Sequence, residues 1–150
     1  IDVSNPTNCV RVGGYDTSGV ANGVAVSGNY AYVADDSAGL QVIDVSNPTN
    51  CVRVGGCANE PGGNAVGVAV AGNYAYVADG RSGLRIFDVS NPAEPIPLGS
   101  LYLPSPAYDL TVVGRVGYVA NGALEGAALV WIGTRQARPL ARAAGERHAA

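Results

Sequence analysis

The sequence predicts an all-β fold, a β-propeller segment of four-stranded antiparallel blades on a repeat of about 42–44 residues, short of a closed ring. Three observations predict it. The chain repeats itself, with Ile1–Gly14 (IDVSNPTNCVRVGG) returning letter for letter as Ile43–Gly56. Gly23–Asp35 (GVAVSGNYAYVAD) returns as Gly67–Asp79 with one change, Ser27 to Ala71. Each period holds four short apolar segments, and none shows the 3.6-residue spacing of a helix.

Taken in order, the first full copy reads as strands A to D: Asn22–Ser27, Tyr30–Asp35, Leu40–Val45 and Cys51–Gly56. Gly28-Asn29 and Gly72-Asn73 join A to B, in residue types that accept the positive φ of a two-residue hairpin turn. Asp44-Val45-Ser46-Asn47-Pro48 joins C to D, where Asp and Asn side chains bond nearby backbone. Pro48 cannot continue a hydrogen-bonded ladder. A looser third copy runs from Phe87 through Leu110–Asn121. The expected organisation is a half-blade over 1–15, blades over about 20–56, 64–102 and 106–133, and a degenerate strand or disordered basic tail over 134–150. A shifted reading frame is a second account of that tail.

Composition limits the partners. Residues 1–133 carry five arginines against eleven acids, so the repeat region is acidic and offers no basic footprint for nucleic acid. No run of about 18 apolar residues could span a membrane. No lysine occurs, and all nine basic residues are arginines in no functional pattern.

The unit GLQVIDVSNP (Gly39–Pro48), followed by VGG and by GVAVxGNYAYVAD, resembles the LVIVD repeat, a propeller repeat of bacterial and archaeal proteins. It is also similar in layout to YVTN-type propellers. The resemblance covers about residues 1–133 and implies a propeller, commonly exported or surface-associated, with no chemistry shared by the family. The third copy departs from it, since Trp131 stands where Asp44 and Asp88 stand and no Asn-Pro follows.

Strand direction separates two faces. The A–B and C–D joints lie on one and are nearly invariant between copies. The B–C and D–A joints lie on the other and differ in every copy, and binding residues gather on variable loops held by a rigid scaffold. The expected ligand-binding residues are therefore Asp16, Asn22, Glu60, Asn64, Tyr108 and Asp109, with Tyr108 and Asp109 read as preceding the third strand A.

Other constellations read as structural. Asp2, Asp44 and Asp88 recur within turns, and Asp35, Asp79 and Asn121 close strand B ahead of a Gly-containing turn, as an Asx turn would. Asp35-Asp36-Ser37-Ala38-Gly39 lacks the spaced oxygen ligands of a calcium loop. Tyr30, Tyr32, Tyr74 and Tyr76 read as packing between blades. The sole histidine, His148, lies in the aberrant tail, so no Ser-His-Asp or Cys-His set assembles and no metal cluster or cofactor is expected. Cys51 and Cys57 sit six residues apart on one strand, roughly 20 Å, too far for a disulfide, and all three thiols are expected free.

These readings point to a non-catalytic scaffold for protein or carbohydrate. The alternatives are part of a catalytic propeller (a lyase, hydrolase or quinone-dependent dehydrogenase) and a structural surface-layer repeat. Three and a half blades are fewer than the four to eight of a closed ring, so the chain is expected either to belong to a larger ring or to associate with a second copy into a seven-bladed one.

Overall fold

The structure, a computed structural model, describes residues 1–122 and 127–131. Every regular element among them is a strand. The first sheet contains β1 (Gly23–Ser27), β2 (Tyr30–Ala34), β3 (Leu40–Asp44) and β4 (Val52–Cys57) in sequential antiparallel order. The second repeats it with β5 (Gly67–Ala71), β6 (Tyr74–Ala78), β7 (Leu84–Asp88) and β8 (Ile96–Leu101). The third has β9 (Ala107–Val113), β10 (Val116–Asn121) and β11 (Ala127–Trp131). None of the three closes on itself, and stacked side by side they form the predicted all-β propeller segment. The third B–C loop beyond Gly122 and the tail over 134–150, with its two accounts, fall outside the described residues.

Turn chemistry sets the register. Ser27 pairs with Tyr30 and Ala71 with Tyr74 across two-residue loops. Gly28 and Gly72 take φ of 57° and 58°, while the following Asn does not, which is the type II′ pattern. At the C–D joint the expected Asx turns form: Ser46 N–H donates to Asp44 Oδ1 at 2.8 Å, and Ser90 N–H to Asp88 Oδ1 at 2.8 Å. Repeat identity extends to irregularity, since both complete sheets carry a bulge at one position, Val42/Ile43 and Ile86/Phe87.

Strand alternation gives each sheet two apolar faces, and the core lies between sheets. Tyr32, Ala34, Leu40 and Val42 of the first meet Val68, Ala75, Val77 and Phe87 of the second. Tyr76, Ala78 and Leu84 of the second meet Leu110 and Val119 of the third. The innermost strands also touch, β1 with β5 and β5 with β9. At the outer edge the backbone itself interlocks. A Cβ on Gly55 would overlap the Pro92 carbonyl oxygen and lie 2.7 Å from that of Ala93. A Cβ on Gly13, its repeat equivalent, would overlap the Pro48 carbonyl oxygen. The Asn-Pro turns of the first two sheets are therefore each seated against a bare glycine of the preceding repeat unit, whereas Gly99 of β8 meets nothing within 4 Å.

The amino-terminal half-blade departs from expectation. Residues 1–15 form a single antiparallel bridge, Asp2 with Val10, in place of two strands. Its N–H···O distances are 2.7 and 3.1 Å. A two-stranded hairpin without a third strand is marginal in water, which accounts for the shortened pairing.

Candidate functional site

The antiparallel order sends the B–C turns and the D–A loops to one face, and backbone bridges bind them together there. Asp36 exchanges two hydrogen bonds with Ala65 at 3.1 Å each, and Gly80 exchanges two with Ala107 at 3.1 and 2.9 Å. Each B–C turn is thereby fastened to the loop that enters the next sheet. The geometry needs left-handed backbone at the bridging residue, and Asp36 and Gly80 both adopt φ of 50°. Asp tolerates that region better than most side chains, so the repeat accepts either residue.

Beneath this face lie two buried carboxylates, and they correct the Asx-turn reading of strand B. Asp35 and Asp79 are completely buried and reach back to the preceding D–A loop rather than forward to their own turn. Asp35 accepts from Thr17 Oγ1 at 2.5 Å and from Gly19 N–H at 3.0 Å. Asp79 Oδ1 accepts from Asn59 Nδ2 at 2.9 Å. Each carboxylate pins the variable loop that crosses it. The signal lay in the sequence: an ionisable residue that ends an apolar strand (Tyr-Val-Ala-Asp) needs polar partners, and Thr17 and Asn59 supply them.

The second sheet adds a charge. Arg85, itself buried, donates from Nη1 to Asn59 Oδ1 at 3.0 Å and lies 3.9 Å from Asp79 Oδ2. Its guanidinium carbon stands 5.0 Å from the centre of the Phe87 ring. Asp79 Oδ2 has no hydrogen bond of good geometry; the Asn64 backbone N–H and Arg85 are its polar neighbours. Burial pushes the Asp79 carboxyl above its ordinary value, and Asn64, Arg85 and Asn59 oppose that only in part. At Arg85's position the first sheet has Gln41, which donates to Ala38 O at 2.7 Å and accepts from Arg53 Nε at 2.6 Å. Sequence reasoning missed both networks, because Gln41 and Arg85 occupy one repeat position with unlike chemistry.

Against this frame the six expected residues divide. Asp16 is exposed on the first D–A loop, and Glu60 and Asn64 are exposed on the second. Asn22 belongs to the scaffold: its Nδ2 donates to Ala65 O at 3.1 Å and its N–H to Ala34 O at 2.8 Å. Those bonds draw the first two loops together. Tyr108 and Asp109 lie within β9 instead of ahead of it, because Ala107 already pairs with Asn121 across a bulge. Tyr108 is 57% exposed, and Asp109 Oδ1 accepts from its own neighbour Leu110 N–H at 2.8 Å. Asp109 stands beside Gly67, whose Cβ would lie 3.1 Å from Asp109 Oδ1, so β9 meets β5 at the mouth of the stack. The three cysteines are free, and Cys51 Sγ points to the turn carbonyls of Pro48 and Asn47 at 3.6 and 3.9 Å. Among the described residues no three His, Cys, Asp or Glu side chains gather in a way that could hold a metal ion, and no helix is long and apolar enough to cross a membrane.

Comparison with known proteins agrees with the architecture. The computationally designed Ika8 protein, known from a crystal structure, superposes with a TM-score of 0.60 at 10% identity. That match covers 76% of this chain and 34% of the designed one, so this chain spans about a third of its length. The designed Ika4 protein matches at 11% identity and a TM-score of 0.47, covering 84% of this chain and 99% of its own. The likeness to Ika8, at such identity, concerns the fold alone. No curated protein matches. The LVIVD repeat matches residues 1–17, 18–59 and 62–102, the second and third segments each spanning one complete four-stranded sheet, and with more than half of its length so matched the chain belongs to the LVIVD repeat family.

Proposed function

We propose that this chain is a non-catalytic scaffold whose loop face binds a protein or a carbohydrate, in a surface-associated or exported setting. The contrast between its two faces carries the reading. On the turn face, Asp44-Val45-Ser46-Asn47-Pro48 and Asp88-Val89-Ser90-Asn91-Pro92 build the same structure twice. On the loop face, unlike D–A loops are held by common supports, the carboxylates of Asp35 and Asp79 and the bridges at Ala65 and Ala107. Side chains there can vary without disturbing the sheets, which is what a recognition surface needs. Asp16, Glu60 and Tyr108 offer exposed acid and aromatic groups, and aromatic rings with a polar tip are favoured in both protein and sugar contacts.

A glycan and protein array tests the reading. The combined variant Asp16→Ala, Glu60→Ala, Tyr108→Ala should lose its partner while stability changes by only about 0.5 kcal/mol, as for exposed loops generally. Asp44→Ala and Pro48→Ala should lower the melting temperature with no selective effect on the partner. Loss of binding in the turn-face variants at unchanged melting temperature would place the site on the opposite face and overturn the proposal.

A further inference from the structure

The repeat contains its own control for exposure. Val24 and Val68 occupy the same place in GVAV, yet Val24 is 65% exposed and Val68 7%. Val26 is also 65% exposed, whereas its equivalent Val70 packs into the core between the first two sheets. At the other end of the stack, Tyr118 is 44% exposed, while its equivalents Tyr32 and Tyr76 are 4% exposed. Local sequence does not explain these differences. Neighbours do: the Tyr32 face covers Val68 and Val70, and the Tyr76 face covers Leu110 and Val112.

The chain thus shows twice what covers a face bearing two apolar residues on its innermost strand, namely a face bearing a strand-B tyrosine. Among the described residues one copy of each is left exposed, the valines on the first sheet and the tyrosine on the third. The backbone repeats the message. Ala65 and Ala107 are fully buried and bridged to the turn of the preceding sheet, but their equivalent Ala21 is exposed and forms no bridge among the described residues. The outer part of the first sheet, at Ala31, Val33 and Ile43, is already buried, and the amino-terminal segment meets that sheet where Gly13 abuts Pro48. The open area is the inner part, at β1.

We propose that a second copy of this chain docks head to tail, the Tyr118 face of β9 and β10 in one molecule covering the Val24 and Val26 face of β1 in the other. The occupant follows from the two interfaces within the chain, each of which sets a strand-B tyrosine face against two apolar residues of the next innermost strand. A two-fold pair made of like faces would set one innermost-strand valine face against another or one strand-B tyrosine face against another, a match that neither described interface makes. Docking requires the exposed segment around the Asp2–Val10 bridge to move aside, since Ile1–Val3 and β11 correspond to the same third strand of a sheet. The inference stands apart from the binding role of the loop face.

The chain of 150 residues measured by light scattering over a dilution series tests it, with Val24→Arg and Tyr118→Arg as variants. Both positions are exposed within one molecule, so each variant should melt like the parent at dilutions where the parent is monomeric; Val26→Arg serves if Val24→Arg does not fold. The parent should associate and dissociate on dilution, and each variant alone should be monomeric. An equimolar mixture of the two variants should regain association, because each retains the face that the other lacks. A parent that is monomeric at every concentration, variants that associate like the parent, or a mixture that stays monomeric would each overturn the proposal.

Discussion

Asp79 titrates in the opposite sense to Asp44 and Asp88. At Asp44 the hydrogen bonds from the Ser46 hydroxyl and backbone N–H hold the carboxyl below its ordinary value, and Ser90 does the same for Asp88. A carboxyl depressed in the folded state contributes stability above its unfolded pKa, and that contribution is lost as pH falls through the folded value. Asp79 is raised by burial, so the folded state takes up its proton first, and stability contributed through this group increases as pH falls toward the unfolded value of 3.8. Urea midpoints from pH 7 downward should therefore reflect an early gain from Asp79 followed, below pH 3.8, by a loss from Asp44 and Asp88. Asp44→Asn keeps an acceptor for the turn but does not titrate, so it should reduce the late loss; Asp79→Asn should remove the early gain. A midpoint profile unchanged in Asp79→Asn would show that its carboxyl is not raised. This residue scale is where the sequence was least legible. Asp44 could be assigned to its turn because its partner is two residues away, but the partners of Asp35 lie 16 and 18 residues upstream, beyond any local pattern.

At the scale of the strand and turn, the glycines differ in what they permit. Gly28 adopts positive φ with open space around it, so Gly28→Ala should cost only the left-handed backbone penalty, about 1 kcal/mol. Gly55→Ala has no such conformational penalty, but its Cβ would meet the backbone of Pro92 and Ala93, which cannot swing aside as a side chain would. That substitution should cost about 2–3 kcal/mol and lower the denaturant midpoint further than Gly28→Ala does. The two valines of the repeated motif make a second pair. Val68→Ala should cost about 2 kcal/mol through lost burial, and Val24→Ala, measured on dilute monomer, about 0.5 kcal/mol or less. Equal costs would mean that the sheets do not pack as described. At this scale the sequence was far more legible. Two-residue Gly-Asn links, Asx turns and apolar alternation fix hairpin register through contacts a few residues apart, so β1 to β8 arise from local rules. β9 starts early because its pairing with Asn121 across a bulge depends on a strand partner, which the GVAV pattern does not report.

For the whole molecule, stability is carried from sheet to neighbouring sheet, as in other stacked repeats. The second sheet is packed on both sides, while β1 and the outward side of β9 and β10 are covered on one. Backbone amide exchange followed by mass spectrometry should accordingly be slowest in β6 and β7 and faster in β1 and β10. Uniform protection across the three sheets would argue for a single cooperative core. The face that varies was readable from the sequence because strand direction alone separates loops from turns. The polar supports beneath it were not, since they join segments that only the fold brings together. The seating of these Asn-Pro turns on a glycine of the preceding repeat unit has a genetic consequence. The two described junctions use the same two parts, a bare glycine at 13 or 55 and the carbonyl of Pro48 or Pro92 that it receives, and residues 15–56 carry one of each. Tandem duplication of residues 15–56 would therefore bring a new junction already complete, and the lengthened protein should melt no lower than the parent. Array length can change by recombination between identical segments without any compensating substitution, leaving the individual loops free to diverge afterwards.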